Sequence, residues 1–249
     1  MFERPRHRLI GQLLEALDDQ LLLEHRCYFG GGTAIALSHG EYRESIDVDF
    51  ICSSLAGYRG LRELVSARAM AWAFRSPDRA LGLAREPRVD QYGIRCAIDV
   101  EGTAIKFEVV FENRIELAKP IDQERICGVW TLSHDDMVAT KLMANTDRWA
   151  DDSVLGRDLV DLAMLTDTGE LSVHGAAKAR HAYGNCIESD LDKAKAHLLQ
   201  RPGRLRLSMS RMGMTLPETE LRLRIQRLAL PSQPAPGPGD RSQGDRSHR

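Results

Sequence analysis

The stretch Ser45-Ile46-Asp47-Val48-Asp49-Phe50-Ile51-Cys52 limits what this chain can fold into more than any other. Apolar and acidic residues alternate through Phe50, which is the period of a β-strand, and residues i and i+2 of a strand leave it on the same face. Asp47 and Asp49 therefore point together, while Ile46, Val48 and Phe50 turn toward a core. Two carboxylates so placed repel, and partial burial strengthens that repulsion unless a cation or a shared proton offsets it. A divalent metal held by oxygen ligands is the simplest compensator. A solvated acidic edge strand is the bland alternative.

The second constraint lies just upstream, in Gly30-Gly31-Gly32 followed by Thr33-Ala34-Ile35-Ala36-Leu37-Ser38. Bare backbone N–H groups at a helix start attract anions. No Gly-Lys-Ser/Thr follows, which excludes a Walker loop, and Ile35 stands where the dinucleotide fingerprint needs glycine or alanine. Alone, the three glycines would be no more than a tight turn.

The sequence predicts an amphipathic helix over 6–25, from Leu9, Ile10, Leu13, Leu14, Leu17, Leu21 and Leu22 at three-and-four spacing. Short strands at 26–29 and 45–52 flank the glycine loop and a helix over 33–38, and a further helix covers 58–74. A hairpin follows: YGIRCAIDV, a Glu101-Gly102 turn, then TAIKFEVVF. In its second arm Ile105, Phe107, Val109 and Phe111 share one face and Lys106, Glu108 and Val110 the other. A short extended piece at 128–132 ends the sheet region.

From Ser133 the pattern turns helical. Ser133 is the N-cap, with Asp136 three residues on, a variant of the capping box. Helices are expected over 134–147, 154–167, 187–200 and 217–229, and the Pro/Gly/Ser-rich tail 231–249 as disordered. The fold class is thus α+β, a small mixed sheet flanked by helices (1–132) followed by a helical region (133–230).

Composition narrows the function further. With 34 basic and 36 acidic residues the formal charge is −2, so no overall basic field draws the chain to nucleic acid or anionic membranes. A polyanion would have to be met locally; the arginines at 201, 204, 206, 211, 222, 224 and 227 could do so, or could form a solvated face. Five scattered cysteines with no C-x-x-C pair suit a reducing, cytoplasmic setting. No leader pattern opens the chain and no stretch approaches the length of a membrane span. The histidines show no metal spacing, and no Gly-x-Ser-x-Gly occurs.

The run GGGTAIALSHGEYRESIDVDF resembles the signature of the polymerase-β-like nucleotidyltransferase superfamily, a Gly-Gly or Gly-Ser pair followed, after a short helix, by Asp-x-Asp on a strand. It looks most like the AbiEii/AbiGii branch, in which Gly-Gly-Thr-Ala opens a hydrophobic helix and the carboxylates end in Asp-Phe. Downstream, HDDMVATKLMANTDRWADDSVLGRDLVDLAML is similar to that family's lysine-bearing helix and the Arg-Asp-x-x-Asp-Leu helix after it. Two motifs in the right order are far more specific than either alone, and the resemblance covers roughly residues 25–168.

The resemblance implies a polymerase-β-like nucleotidyltransferase fold. It also implies transfer of a nucleoside monophosphate from an NTP to an acceptor such as RNA or tRNA, with Mg²⁺ or Mn²⁺ in a two-metal mechanism. It further implies a type IV toxin with a cognate antitoxin. On that basis Asp47 and Asp49 are metal ligands and Glu108 the third carboxylate, with Asp99 its main rival and Glu112 at the frayed strand end. Gly31, Gly32 and Thr33 would hold the triphosphate, although many superfamily members have serine at the position of Gly32. Lys141 would pair with phosphate as a point charge. Asp158 and Asp161, beside Arg157, share a helix face; Asp161 fits the site motif better, and Asp158 is a second nucleotide-binding candidate. Either could instead be a structural salt-bridge member. A metal clasp in a nucleotide-sugar glycosyltransferase leaves the glycines and Lys141 unexplained, whereas a nucleotide-binding module without catalysis uses the same residues.

Overall fold

The computed structural model describes residues 2–76 and 81–232. The expectation of disorder for the tail falls, from residue 233 onward, outside the described residues. Strand β1 (Cys27–Gly30) runs antiparallel to β2 (Asp47–Cys52), and β2 pairs in parallel with β5 (Thr103–Phe111). The hairpin partner of β5 is β4 (Gly93–Val100), and β3 (Leu83–Val89) closes the sheet in the order β1-β2-β5-β4-β3. The hairpin turns at Glu101 and Gly102, both at positive φ (52° and 78°), as a two-residue turn matched to strand twist requires.

Alternation decides the two faces of this mixed sheet. Val48, Phe50, Ile105, Phe107, Val109, Ile94, Cys96 and Ile98 are buried together on one of them. The Phe50 ring lies 5.6 Å from Phe29 and 5.5 Å from Phe107, centroid to centroid, which makes an aromatic row across three strands. Asp47, Asp49, Lys106, Glu108 and Arg95 necessarily occupy the other face. Helix α3 (Gly31–Ser38) lies against β1 and β2 and also packs on α5 (His134–Arg148) and α6 (Arg157–Met164). Ser133 caps α5 as expected, its hydroxyl accepting from the Asp136 N–H. Around α5 gather α7 (Val173–Tyr183) and α8 (Cys186–Leu199), followed by α9 (Arg204–Arg211) and α10 (Glu218–Arg227). A single apolar cluster runs from Ile10 to Leu228. No helix among the described residues is long and apolar enough to cross a membrane.

Several expected elements differ, each for a local reason. The opening helix splits into α1 (Pro5–Ala16) and α2 (Asp19–Glu24), because Leu17 bridges to Phe74 and Asp18 caps the second piece by accepting from Leu21 N–H. The helix expected over 58–74 is α4 (Leu55–Arg68), which ends where Ala69 turns to φ 48°. Ile46 is not a core residue: β2 begins one residue later, and Ile46 is 46% exposed. The helix expected over 154–167 shortens to α6, since Leu155 and Gly156 are both left-handed. The 128–132 piece supplies β7 (Val129–Trp130), which pairs with β6 (Arg125–Ile126) outside the main sheet.

Strand β3, with Pro87 and mostly exposed residues, carries the irregular pairing of an edge strand and hence no alternation to read. Helix α7 packs on α5 through small residues; a Cβ on Gly175 would meet the Asp135 carbonyl oxygen at 2.6 Å, so it too has no bulky stripe. Five of the seven C-terminal arginines are paired in place. Arg201 and Arg204 pair with Asp152, Arg206 and Arg222 with Glu218, and Arg224 with Glu220.

Replacing Phe50 by alanine should empty the centre of the aromatic row and cost about 3–5 kcal/mol in urea denaturation. A loss below about 1 kcal/mol would show that the row is not a core element.

Candidate active site

The parallel pairing of β2 with β5 sets Asp47 opposite Lys106 and Asp49 opposite Glu108. The i, i+2 repeat on each strand therefore brings three carboxylates and one ammonium onto a single patch of the sheet's polar face. Lys106 Nζ lies 2.7 Å from Glu108 Oε2, and Arg95, opposite Glu108 on β4, donates from Nε to Oε1 at 2.5 Å. Burial, with Asp47 and Glu108 adding to it, pushes the Asp49 carboxyl up to about 6, although Lys106 and Lys141 pull the other way.

The glycines meet this patch from β1. Gly31 has φ 67°, and a Cβ there would stand 2.7 Å from Asp49 Oδ2, so the left-handed turn and the close approach both demand glycine. Gly32 is constrained for another reason: its Cβ would fall 2.1 Å from Arg43 Nη2, so a side chain there requires the Arg43 guanidinium, held by Asp161, to move. The guanidinium of Arg43 thus fills the space into which the serine of other superfamily members would project. Thr33 is buried, with its hydroxyl bonded to the Asp47 carbonyl and 2.7 Å from Ser45 Oγ; it braces the loop.

Beneath the cleft lies a network of five charged groups. Arg43 donates to Asp161 from Nε (2.7 Å) and Nη2 (3.0 Å), and Tyr42 donates its hydroxyl to Asp161 Oδ1 at 2.6 Å. Lys141 Nζ bridges Asp161 Oδ2 (2.6 Å) and Asp158 Oδ1 (2.9 Å), and Arg148 makes a two-point contact with Asp158. Burial opposes ionisation of both aspartates, yet Lys141 and Arg148 at Asp158, and Arg43 and Lys141 at Asp161, outweigh it; both carboxyls are held below the usual carboxylate range. Three cations against two carboxylates leave one positive charge in excess.

The three cations of the network border a cleft of about 450 Å³, lined by Gly31, Gly32, Asp47, Asp49, Glu108 and Lys141 among the expected residues. Arg43, Ser45, Lys106, Arg148 and Arg157 also line it. Thr33, Asp158 and Asp161 are not part of the lining; Asp158 and Asp161 orient Lys141 from below. Asp99 shares the polar face with Glu108, but sits at the hairpin turn and accepts from Gly102 N–H. Glu112 is held by Arg114. A hollow of about 660 Å³ lies elsewhere, lined by Arg26, Tyr28, Glu116 and Lys178, and it gathers none of the expected site residues.

Sequence reasoning assigned no role to Arg43, Ser45, Lys106 or Arg148. Two of them left a signal: Lys106 shares the polar strand face with Glu108, and Arg148 lies two helical turns from Lys141 on α5. Arg43 left none, because its loop has no period.

Carboxylate oxygens are the right donors for a hard divalent cation, and Asp47, Asp49 and Glu108 supply them on one face. Among the described residues, however, no three His, Cys, Asp or Glu side chains stand grouped to hold a metal ion, and Glu108 is itself engaged by Lys106 and Arg95. The donor set fits such an ion at the aspartate pair, with Glu108 the adjoining carboxylate.

A family model described as "Nucleotidyl transferase AbiEii toxin, Type IV TA system" matches residues 12–235. Among solved structures, the chain is similar to a candidate nucleotidyltransferase from H. pylori, with 17% identity, a TM-score of 0.50 and coverage of 88% of this chain and 89% of the other. JHP933 from Helicobacter pylori aligns over 90% of both chains with 17% identity and a TM-score of 0.49. At such identity the first of these shows a shared fold. A comparison with curated proteins finds no match.

Removing one member of the buried network leaves charge uncompensated, so Asp161→Asn should cost about 3–5 kcal/mol in urea denaturation at pH 7. The stability supplied by Asp158 and Asp161 is complete above the unfolded carboxylate value, about 4, and is lost as pH falls through their depressed folded values.

Asp49 has the opposite sign. Its contribution is complete below about 4 and is lost as pH rises through about 6. Metal-free Asp49→Asn should therefore be more stable than the parent by on the order of 2 kcal/mol at pH 7.5 and nearly equal to it at pH 4. Equal urea midpoints at both pH values would contradict that environment for Asp49.

Proposed function

We propose, because the chain belongs to the AbiEii family of nucleotidyl transferase toxins of type IV toxin–antitoxin systems, that it moves a nucleoside monophosphate from an NTP to an acceptor hydroxyl, with RNA or tRNA as the acceptor class. The observation that carries this reading is the meeting of Asp47, Asp49 and Glu108 with Gly31, Gly32 and Lys141 around one cleft. The acceptor oxygen bonds to the α-phosphorus, the bond from that phosphorus to the bridging oxygen breaks, pyrophosphate leaves, and the hydroxyl proton passes to solvent.

Asp47 and Asp49, with Glu108 beside them, would hold Mg²⁺ or Mn²⁺. When bound, the metal supplies positive charge to the reacting phosphate and lowers the pKa of the attacking hydroxyl. The chain's own groups do the rest. The start of α3 presents backbone N–H groups to the triphosphate, Gly31 and Gly32 allow close approach, and Lys141, Arg148 and Arg157 face the phosphates. Asp158 and Asp161 are positioning residues that hold Lys141 charged and aimed. On this reading residues 1–132 form the catalytic unit and 133–230 the helical unit that supplies the lysine. The toxin acts in the cytoplasm, where NTPs are made, and a cognate antitoxin restrains it.

One observation favours a second reading, a nucleotide-binding module without catalysis: both oxygens of Glu108 are engaged by cations of the chain itself.

The purified protein should be incubated with Mg²⁺, each α-labelled NTP in turn, and total RNA or total protein extract. Label is expected in RNA, and Asp47→Ala and Lys141→Ala should each reduce transfer to background. Full activity in either variant would overturn the assignment; nucleotide binding with no transfer by the parent protein would select the second reading.

A further inference from the structure

Lys106 stands where a nucleotidyltransferase cleft has most use for negative charge. It lies opposite Asp47 on the neighbouring strand, its ammonium is 2.7 Å from Glu108 Oε2, and it lines the cleft. Its effect reaches the aspartates as well, since Asp49 and Asp47 both act electrostatically on it. Position alone makes this unavoidable: residues 106 and 108 share a strand face, so any lysine at 106 has Glu108 for a neighbour and β2's aspartates across the ladder.

Arg95 differs from Lys106 in two ways. It approaches Glu108 Oε1 from β4, the strand farther from the aspartates, and it is shared with Asp90 at 2.9 Å. It does not line the cleft. Arg95 therefore holds Oε1 of Glu108 from outside the cleft lining, whereas Lys106, which lines the cleft, holds Oε2.

We propose that Lys106 is a built-in counter-cation of the carboxylate cluster, competing with a divalent metal for Glu108 and thereby setting the metal affinity of the free protein. This rests on the metal-dependent reading above and deepens it. An ammonium beside the aspartates repels an arriving dication and holds one of its oxygen donors. A flexible four-carbon stem lets the ammonium swing aside when a metal-bound triphosphate brings in its own compensating negative charge. Free protein is thus a weak metal site, and the metal enters together with the nucleotide. Lys106 is a positioning residue in this scheme and need not touch the reacting atoms.

The test titrates the folded full chain with Mn²⁺ alone, reading free Mn²⁺ by electron paramagnetic resonance and melting temperature in parallel. Lys106→Gln removes the charge and keeps a polar side chain one atom shorter, and it is expected to bind Mn²⁺ on the order of tenfold more tightly than the parent. Lys106→Arg, which keeps the charge, should stay close to the parent, and Arg95→Gln should gain far less than Lys106→Gln. Unchanged affinity in Lys106→Gln would overturn the proposal, as would equal gains in Lys106→Gln and Arg95→Gln, which would reduce the effect to net charge.

Mn²⁺ binding by Lys106→Gln must also disappear in the double variant with Asp47→Ala; if it persists, the metal lies elsewhere and the proposal fails. Failure of the metal-dependent reading itself shows separately, as NTP label transfer by the parent protein that survives EDTA.

Discussion

The structure depends on one buried assembly of charge, in which Asp161 and Asp158 are clamped by Arg43, Lys141 and Arg148. Its members come from three places in the chain: the loop between α3 and β2, the middle and end of α5, and α6. Charges this deep are tolerable only when paired and hydrogen-bonded. Tyr42 adds its hydroxyl to the same carboxylate, so Asp161 is satisfied on both oxygens. The assembly therefore works as a junction where the helices lock to the glycine loop, and its position is what aims Lys141 into the cleft.

A second consequence follows at the glycines. Because the Arg43 guanidinium lies across the start of α3, a side chain at residue 32 would have to displace it, and the chain has glycine there. Gly31 is forced by backbone conformation and by Asp49, and Gly32 is constrained by Arg43. Two adjacent glycines thus serve two different constraints. Both line the cleft at the start of α3, beside the network with its excess positive charge.

The legible parts of the fold were those with a strict period. The alternation in β2 and in the β4–β5 hairpin, and the Ser133 cap of α5, are local properties, and they correspond to the elements observed. The opening helix was over-extended, because its apolar spacing continues through Leu17 and Leu21 while a bridge to Phe74 breaks the backbone between them. Strand β3 and helix α7 went unseen because an exposed edge strand and a helix packed through glycine and alanine carry no strong hydrophobic stripe; α9, only eight residues long, went unseen as well. The arginine-rich C-terminal segment could be read in one dimension as a polyanion contact or as a solvated face, and in three dimensions local carboxylates pair with five of its seven arginines.

From sequence alone, this protein's two aspartates were bound to share a strand face, and Glu108 a face of another strand, because side-chain direction in a strand is set by parity. Sequence likewise put Lys141, Asp158 and Asp161 on helices and carried the family resemblance. Only the tertiary structure decided that β2 pairs with β5 in the register that sets Asp49 beside Glu108. It also decided that Asp158 and Asp161 lie under Lys141 instead of in the cleft, and that Arg43 and Lys106 line it. These are contacts between segments far apart in the chain or on separate strands, fixed by packing and by the need to compensate buried charge, and no local period encodes them.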